Sequence, residues 1–154
     1  MRKSFVKFFL SAFGLGFLPW TPGTWGSLGG LVLVYFISSV PVVDLIVFFI
    51  LLLVTVTFLT RYFKMMQEKE KDPQFVVMDE VLGILVTFLS LPITWITALI
   101  GFVLFRFFDI VKPFGIRRLE KIEGAWGVIL DDLVAGLFAH IILTAYIWSG
   151  APVW

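Results

Sequence analysis

All twelve lysines and arginines of this chain fall into three clusters, and the long stretches between and after them carry no basic residue. Arg2, Lys3 and Lys7 form the first cluster, Arg61, Lys64, Lys69 and Lys71 the second, and Arg106, Lys112, Arg117, Arg118 and Lys121 the third. The gaps are the apolar runs. With 60% hydrophobic and only 15% charged residues, and a mean hydropathy of +1.02, the chain has too little polar surface to cover a soluble core and falls in the membrane class. The positive-inside rule then places all three basic clusters in the cytoplasm. Cysteine is absent, which excludes a disulfide framework, a thiolate metal site and a cysteine nucleophile.

The start, "MRKSFVKFFLSAFGLGFLPW", has the basic beginning and apolar middle of a signal peptide. Lys7 interrupts that pattern and no A-x-A-like site follows, while Phe5, Phe8, Phe9 and Ala12 share one helical face. The segment reads as an interfacial amphipathic helix that stays on the protein. Five apolar segments follow, at about residues 28–40, 42–60, 81–91, 93–108 and 128–148. The first two form a hairpin turning at Pro41 and Asp44, the next two a hairpin turning at Pro92, and the fifth carries the C-terminus outside. Trp20, Trp25 and Trp126 then lie near the inner interface, and Trp95, Trp148 and Trp154 near or beyond the outer one. The first and third segments are too short to span about 30 Å of hydrocarbon, and each is rescued if its cytoplasmic end starts in a re-entrant or protein-buried section. The expectation is a single all-α domain over residues 1–154, a polytopic helical bundle with about five membrane-embedded segments, two of them short or re-entrant.

Both short segments follow unusual polar stretches. "GLGFLPWTPGTWGSLGG", residues 14–30, places glycines and two prolines around Thr21, Thr24 and Ser27 before a helix expected to begin near Leu28. Such a stretch suits phosphate, since backbone N–H groups approach a ligand closely there and a helix N-terminus follows. It equally suits small-residue helix packing. It is not a Walker P-loop. In "DPQFVVMDEVLG" Asp79 and Glu80 open a helix; one is expected to face a cavity and the other to support it. In residues 105–132, Arg106 and Asp109 lie one turn apart, Lys112 and Pro113 end their helix, and Gly124 and Gly127 break a short helix carrying Glu120 and Glu123 before Asp131 and Asp132. Arg117, Arg118 and Lys121 read as a headgroup-facing edge. His140 reads as a packed, interhelical residue.

Seven of the eleven acids, namely Asp79, Glu80, Asp109, Glu120, Glu123, Asp131 and Asp132, lie in these motifs. Carboxylates from separate segments repel one another near hydrocarbon unless something positive is bound among them. Oxygen ligands alone point to a hard divalent cation, Mg²⁺ or Mn²⁺.

The stretches "GLGFLPWTPGTWGSLGG", "VVMDEVLG", "FRFFDIVKPFGIRRLE" and "GAWGVILDDLVAG" resemble, in order and spacing, the signatures of the phosphatidylglycerophosphatase A family. The resemblance implies a bacterial inner-membrane, Mg²⁺-dependent enzyme that removes the terminal phosphate of phosphatidylglycerophosphate to give phosphatidylglycerol, among membrane lipids and with no nucleic-acid partner. It carries the family's acidic and hydroxyl positions onto Thr24, Ser27, Asp79, Glu80, Asp109, Asp131 and Asp132. On that basis one or two Mg²⁺ ions are expected on Asp79, Asp109 and one or both of Asp131 and Asp132, with Glu80 as general base or orienter. Arg106 and Lys112 are expected to bind phosphate oxygens, and Gly23, Gly26, Thr24 and Ser27 to complete the cradle. Attack by water is favoured over a Thr24 or Ser27 nucleophile, because no histidine stands nearby to activate a hydroxyl. The alternative is a small divalent-cation transporter or channel, which requires acids spread through the membrane depth.

Overall fold

Pro22, directly after Thr21, sets where the first long helix begins. Its fixed φ suits the first helical position and its missing N–H is not needed there. In the computed structural model of the chain, which describes residues 3–38, 40–66 and 73–151, helix α2 accordingly runs Pro22–Ile37. This corrects the start expected near Leu28. Thr24, Gly26, Ser27, Gly29 and Gly30 therefore lie within a regular helix rather than a loop, and Gly26 and Gly30 pack against the segment that carries Val77 and Val81.

Helix α1, Lys3–Leu10, precedes it across a short 3₁₀ turn at Leu15–Phe17. Helix α3 spans Pro41–Met66, α4 Met78–Thr87 and α5 Trp95–Val111; a second 3₁₀ stretch covers Pro113–Lys121, and α6 spans Ala125–Trp148. Among the described residues all regular structure is helical. Arg2, Lys69, Lys71 and Trp154 lie outside the described residues, as does the side chain of Glu120.

Local chemistry explains the boundaries. Thr94 caps α5 by accepting from the Thr97 N–H at 3.3 Å, while the Thr97 hydroxyl accepts from the Thr94 N–H at 2.8 Å. Lys112 ends α5 in the left-handed region at φ 48° and Pro113 follows, as expected of that pair. Gly124 precedes α6 at φ 81°, but Gly127 does not break a helix. It sits in the first turn of α6, where a β-carbon would collide with the Ile122 carbonyl.

At 1.5 Å per residue, α3 (26 residues) and α6 (24 residues) extend about 39 and 36 Å, more than the hydrocarbon thickness of about 30 Å. Among the described residues these two are long and apolar enough to cross a membrane. Helices α2, α4 and α5 have 16, 10 and 17 residues and fall short of that criterion, so five crossing segments do not follow from length and composition.

Helix α4 is the centre of the molecule. Eight of its ten residues are buried, between α2 on one side and α6 on the other. Small residues bring the backbones together: a β-carbon at Gly30 would stand 3.1 Å from the Val81 α-carbon, and one at Gly136 would meet the Gly83 carbonyl. The buried Thr87 hydroxyl donates back to the Gly83 carbonyl at 2.9 Å. His140 faces the Thr87 carbonyl at 3.3 Å through Nδ1 and the Thr144 hydroxyl at 3.5 Å through Nε2, the interhelical packing expected of it. Helix α3 lies on the perimeter with Ile46, Phe49, Ile50 and Leu53 exposed, and α1 rests on it through Phe9 and Phe58, whose ring centroids are 4.6 Å apart.

Both hairpin turns lie where expected. The Ser90 N–H in the α4–α5 turn donates to the buried Asp44 carboxylate in the first turn of α3 at 3.4 Å, which ties the two turns together at one end of the bundle. The N-termini of α2, α4 and α6 and the C-terminus of α5 therefore share the opposite end.

Candidate functional site

That opposite end holds a cavity of about 960 Å³, walled by the first turns of α2 and α4, the last turns of α5, the 113–124 connection and the first two turns of α6. The packing just described sets its geometry. Because α4 is pressed against α6 at Gly83 and against α2 at Gly26 and Gly30, the acids at the start of α4 stand beside those of α6. One carboxylate oxygen from each of Asp79, Glu80 and Asp132 lies within 4.8 Å of the others. Asp79, Asp131 and Asp132 are all buried. Asp109 lines the same cavity from α5.

Two cations face these acids. Arg106 Nη1 donates to Asp109 Oδ2 at 2.6 Å and to the Ser27 hydroxyl at 3.4 Å. Lys112 Nζ donates to Asp131 Oδ2 at 2.5 Å, so the left-handed cap of α5 also aims its side chain at α6. Six acids and three bases line the cavity in all, a clear excess of negative charge. Glu80 opens into this excess at the start of α4, beside the Asp79 and Asp132 carboxylates. Its buried Oε2 has no hydrogen-bond partner among the described residues.

The donor set is oxygen only, clustered and short of positive charge. It therefore fits a hard divalent cation, which would satisfy the orphaned Glu80 oxygen and relieve the repulsion. The tightest cluster is Asp79, Glu80 and Asp132, so both members of the Asp79–Glu80 pair face the cavity rather than one standing behind the other.

The remaining expected residues divide cleanly. Asp79, Glu80, Asp109, Asp131, Asp132, Arg106, Lys112 and Gly23 line the cavity. Gly23 leaves room for two site side chains, because a β-carbon there would displace the Glu80 carboxylate and stand 3.0 Å from Arg106 Nη1. Thr24 and Gly26 are not part of the wall; Gly26 packs on Val77, 2.7 Å from where its β-carbon would stand. Ser27 is fully buried, donates to the Gly23 carbonyl at 2.7 Å and accepts from Arg106 Nη1 at 3.4 Å, so it meets the site through these two wall residues. The wall also contains Trp20, Thr21, Gln74 and Lys121, which the motifs did not single out as site residues. The Thr21–Pro22 helix start was the signal that places Thr21 at the mouth and turns Thr24 away.

The family model described as phosphatidylglycerophosphatase A matches residues 8–147. A Haemophilus influenzae protein named phosphatidylglycerophosphatase A is 36% identical over 136 residues, covering 86% of this chain and 83% of the relative. An Escherichia coli protein of the same name is 32% identical over 135 residues, covering 85% and 77%. A Bacteroides thetaiotaomicron protein, provisionally named a phosphatidylinositol-3-phosphatase, is 35% identical over 154 residues, covering 96% and 97%. No solved structure matches the chain.

Proposed function

The chain belongs to the phosphatidylglycerophosphatase A family, and from that premise we propose that it hydrolyses the terminal phosphate of phosphatidylglycerophosphate, with Mg²⁺, at the cytoplasmic face of a bacterial inner membrane. The observation that carries the reading is the convergence of the Asp79, Glu80 and Asp132 carboxylates within 4.8 Å, in a cavity that also presents Arg106 and Lys112. Acids to hold a cation and cations to hold a phosphate in one pocket are what a metal-assisted phosphomonoesterase needs.

Asp79, Glu80 and Asp132 would hold the ion, with Asp109 beside them. When bound, Mg²⁺ neutralises phosphate oxygens and eases deprotonation of water. The chain's own groups do the rest. Arg106 and Lys112 exchange their carboxylate partners for phosphate oxygens, drawing the phosphorus toward the acids. A water attacks in line; its oxygen bonds to phosphorus as the bond to the glycerol oxygen breaks. A carboxylate of the cluster takes the water's proton, and the glycerol oxygen leaves as an alcohol after protonation from the cluster or solvent. A hydroxyl nucleophile is disfavoured, because Thr24 stands off the wall and Ser27 is buried with its proton given to Gly23.

The charge map supports the membrane placement. Lys7, whose ammonium lies 5.2 Å from the Phe75 ring centroid, Arg61 and Lys64 near the end of α3, and the bases from Arg106 to Lys121 all belong to the site-bearing end. We take that end as cytoplasmic. On this reading α2 with α3 and α4 with α5 are membrane-embedded hairpins, α4 is re-entrant, α1 lies at the interface, α6 carries the C-terminus out, and the whole chain is one domain. Among the described residues Asp44 is the one acid at the far end, whereas a cation carrier needs acids through the depth.

The test is phosphate release by the purified protein from phosphatidylglycerophosphate in mixed micelles, with Mg²⁺ and after chelation, beside phosphatidylinositol 3-phosphate. Mg²⁺-dependent release from the first lipid supports the reading. Release from neither lipid overturns it, and release from the inositol lipid alone reassigns the substrate.

A further inference from the structure

Lys121 ends the 3₁₀ stretch Pro113–Lys121 and lines the cavity, yet unlike Arg106 and Lys112 it makes no ion pair among the described residues. Its side chain is exposed, so it stands at the rim, whereas the two paired cations stand with the acids. The cavity, at about 960 Å³, is at the upper end of the roughly 300–1,000 Å³ usual for small-molecule sites, far more than a single phosphate group needs. The pocket therefore has a deep end equipped for one phosphate and a further cation at its rim.

We propose that Lys121 binds the bridging phosphodiester of the lipid headgroup while the terminal phosphate occupies the deep end. The inference rests on the phosphatase reading and goes beyond it, because it makes Lys121 a specificity residue. A lipid with both a diester and a monoester phosphate engages both ends of the cavity. Phosphatidic acid has only the monoester and leaves Lys121 without a partner. A lysine suits the task, since its ammonium on a flexible stem meets a diester as a point charge without demanding bidentate geometry. Glu123 lines the same cavity and disfavours a second anion there unless a cation offsets it, which gives Lys121 its effect.

The experiment compares steady-state hydrolysis of phosphatidylglycerophosphate and phosphatidic acid by the wild-type protein, Lys121→Gln and Lys121→Arg in the same micelles. The wild type is expected to show the lower KM for the two-phosphate lipid. Lys121→Gln should raise that KM about tenfold, the lower end for a charged hydrogen bond because the site is solvent-exposed. It should leave kcat and the phosphatidic acid KM close to wild type, and Lys121→Arg should restore most of the preference. An unchanged KM, an equal rise for both lipids, or loss of turnover with both would overturn the inference. A wild-type protein that releases phosphate from neither lipid would instead sink the phosphatase reading and the inference with it.

Discussion

Replacing Gly136 with alanine tests whether helix packing sets the spacing of the acids. A methyl group there would stand 3.1 Å from the Gly83 carbonyl carbon and closer still to its oxygen. Ordinary contact between such atoms is about 3.5–4.0 Å, so α4 and α6 must separate by roughly 1 Å. The obstacle is backbone on a buried helix, which cannot rotate aside. Overpacking of this kind costs on the order of 1–3 kcal/mol of stability. The functional effect should be larger, because Asp79 and Glu80 ride on α4 and Asp132 on α6; misplacing reacting groups by about 1 Å costs on the order of 100-fold in rate. The assay is Mg²⁺-dependent phosphate release, with thermal unfolding in detergent to confirm a folded protein. Gly29→Ala is the control, since its methyl meets only the end of the Leu15 side chain, which can move. A folded Gly136→Ala protein with wild-type turnover would refute the argument that this contact holds the site together.

Asp132→Asn should reduce turnover by more than about 100-fold and weaken Mg²⁺ binding measured by calorimetry, since it removes a charge from the cluster; unchanged Mg²⁺ affinity would count against the proposed ligand. Thr24→Val should keep turnover within about twofold, as its side chain lies off the cavity wall; inactivation would revive a covalent phospho-enzyme. Because the chain lacks cysteine, Arg117→Cys and Gly150→Cys give clean topology reporters. In intact cells a membrane-impermeant maleimide should label the second and spare the first, and the reverse pattern would invert the proposed orientation.

Much of this architecture was legible because it follows from local rules. Pro41 and Pro92 mark the turns, Lys112–Pro113 ends α5, and Asp79 and Glu80 open α4. What escaped is tertiary. The glycines of residues 14–30 look alike in sequence, yet Gly23 makes room for Glu80 and Arg106 while Gly26 and Gly30 admit α4. Only the partner helix distinguishes them. The same holds for the acids: spacing along the chain brings Asp109, Asp131 and Asp132 into one region, but the Lys112 pairing of Asp131 and the approach of Glu80 to Asp132 depend on how α5 and α6 cross α4.

The near-complete enclosure of α4 bears on biogenesis. A ten-residue helix that opens with two acids is a poor candidate to partition into lipid alone as it leaves the ribosome. Its shelter comes from α2, made earlier, and from α6, made later. On the proposed membrane placement, α4 stays without its shelter until α6 has been made, so truncation before α6 should leave a half-built protein for quality control to clear.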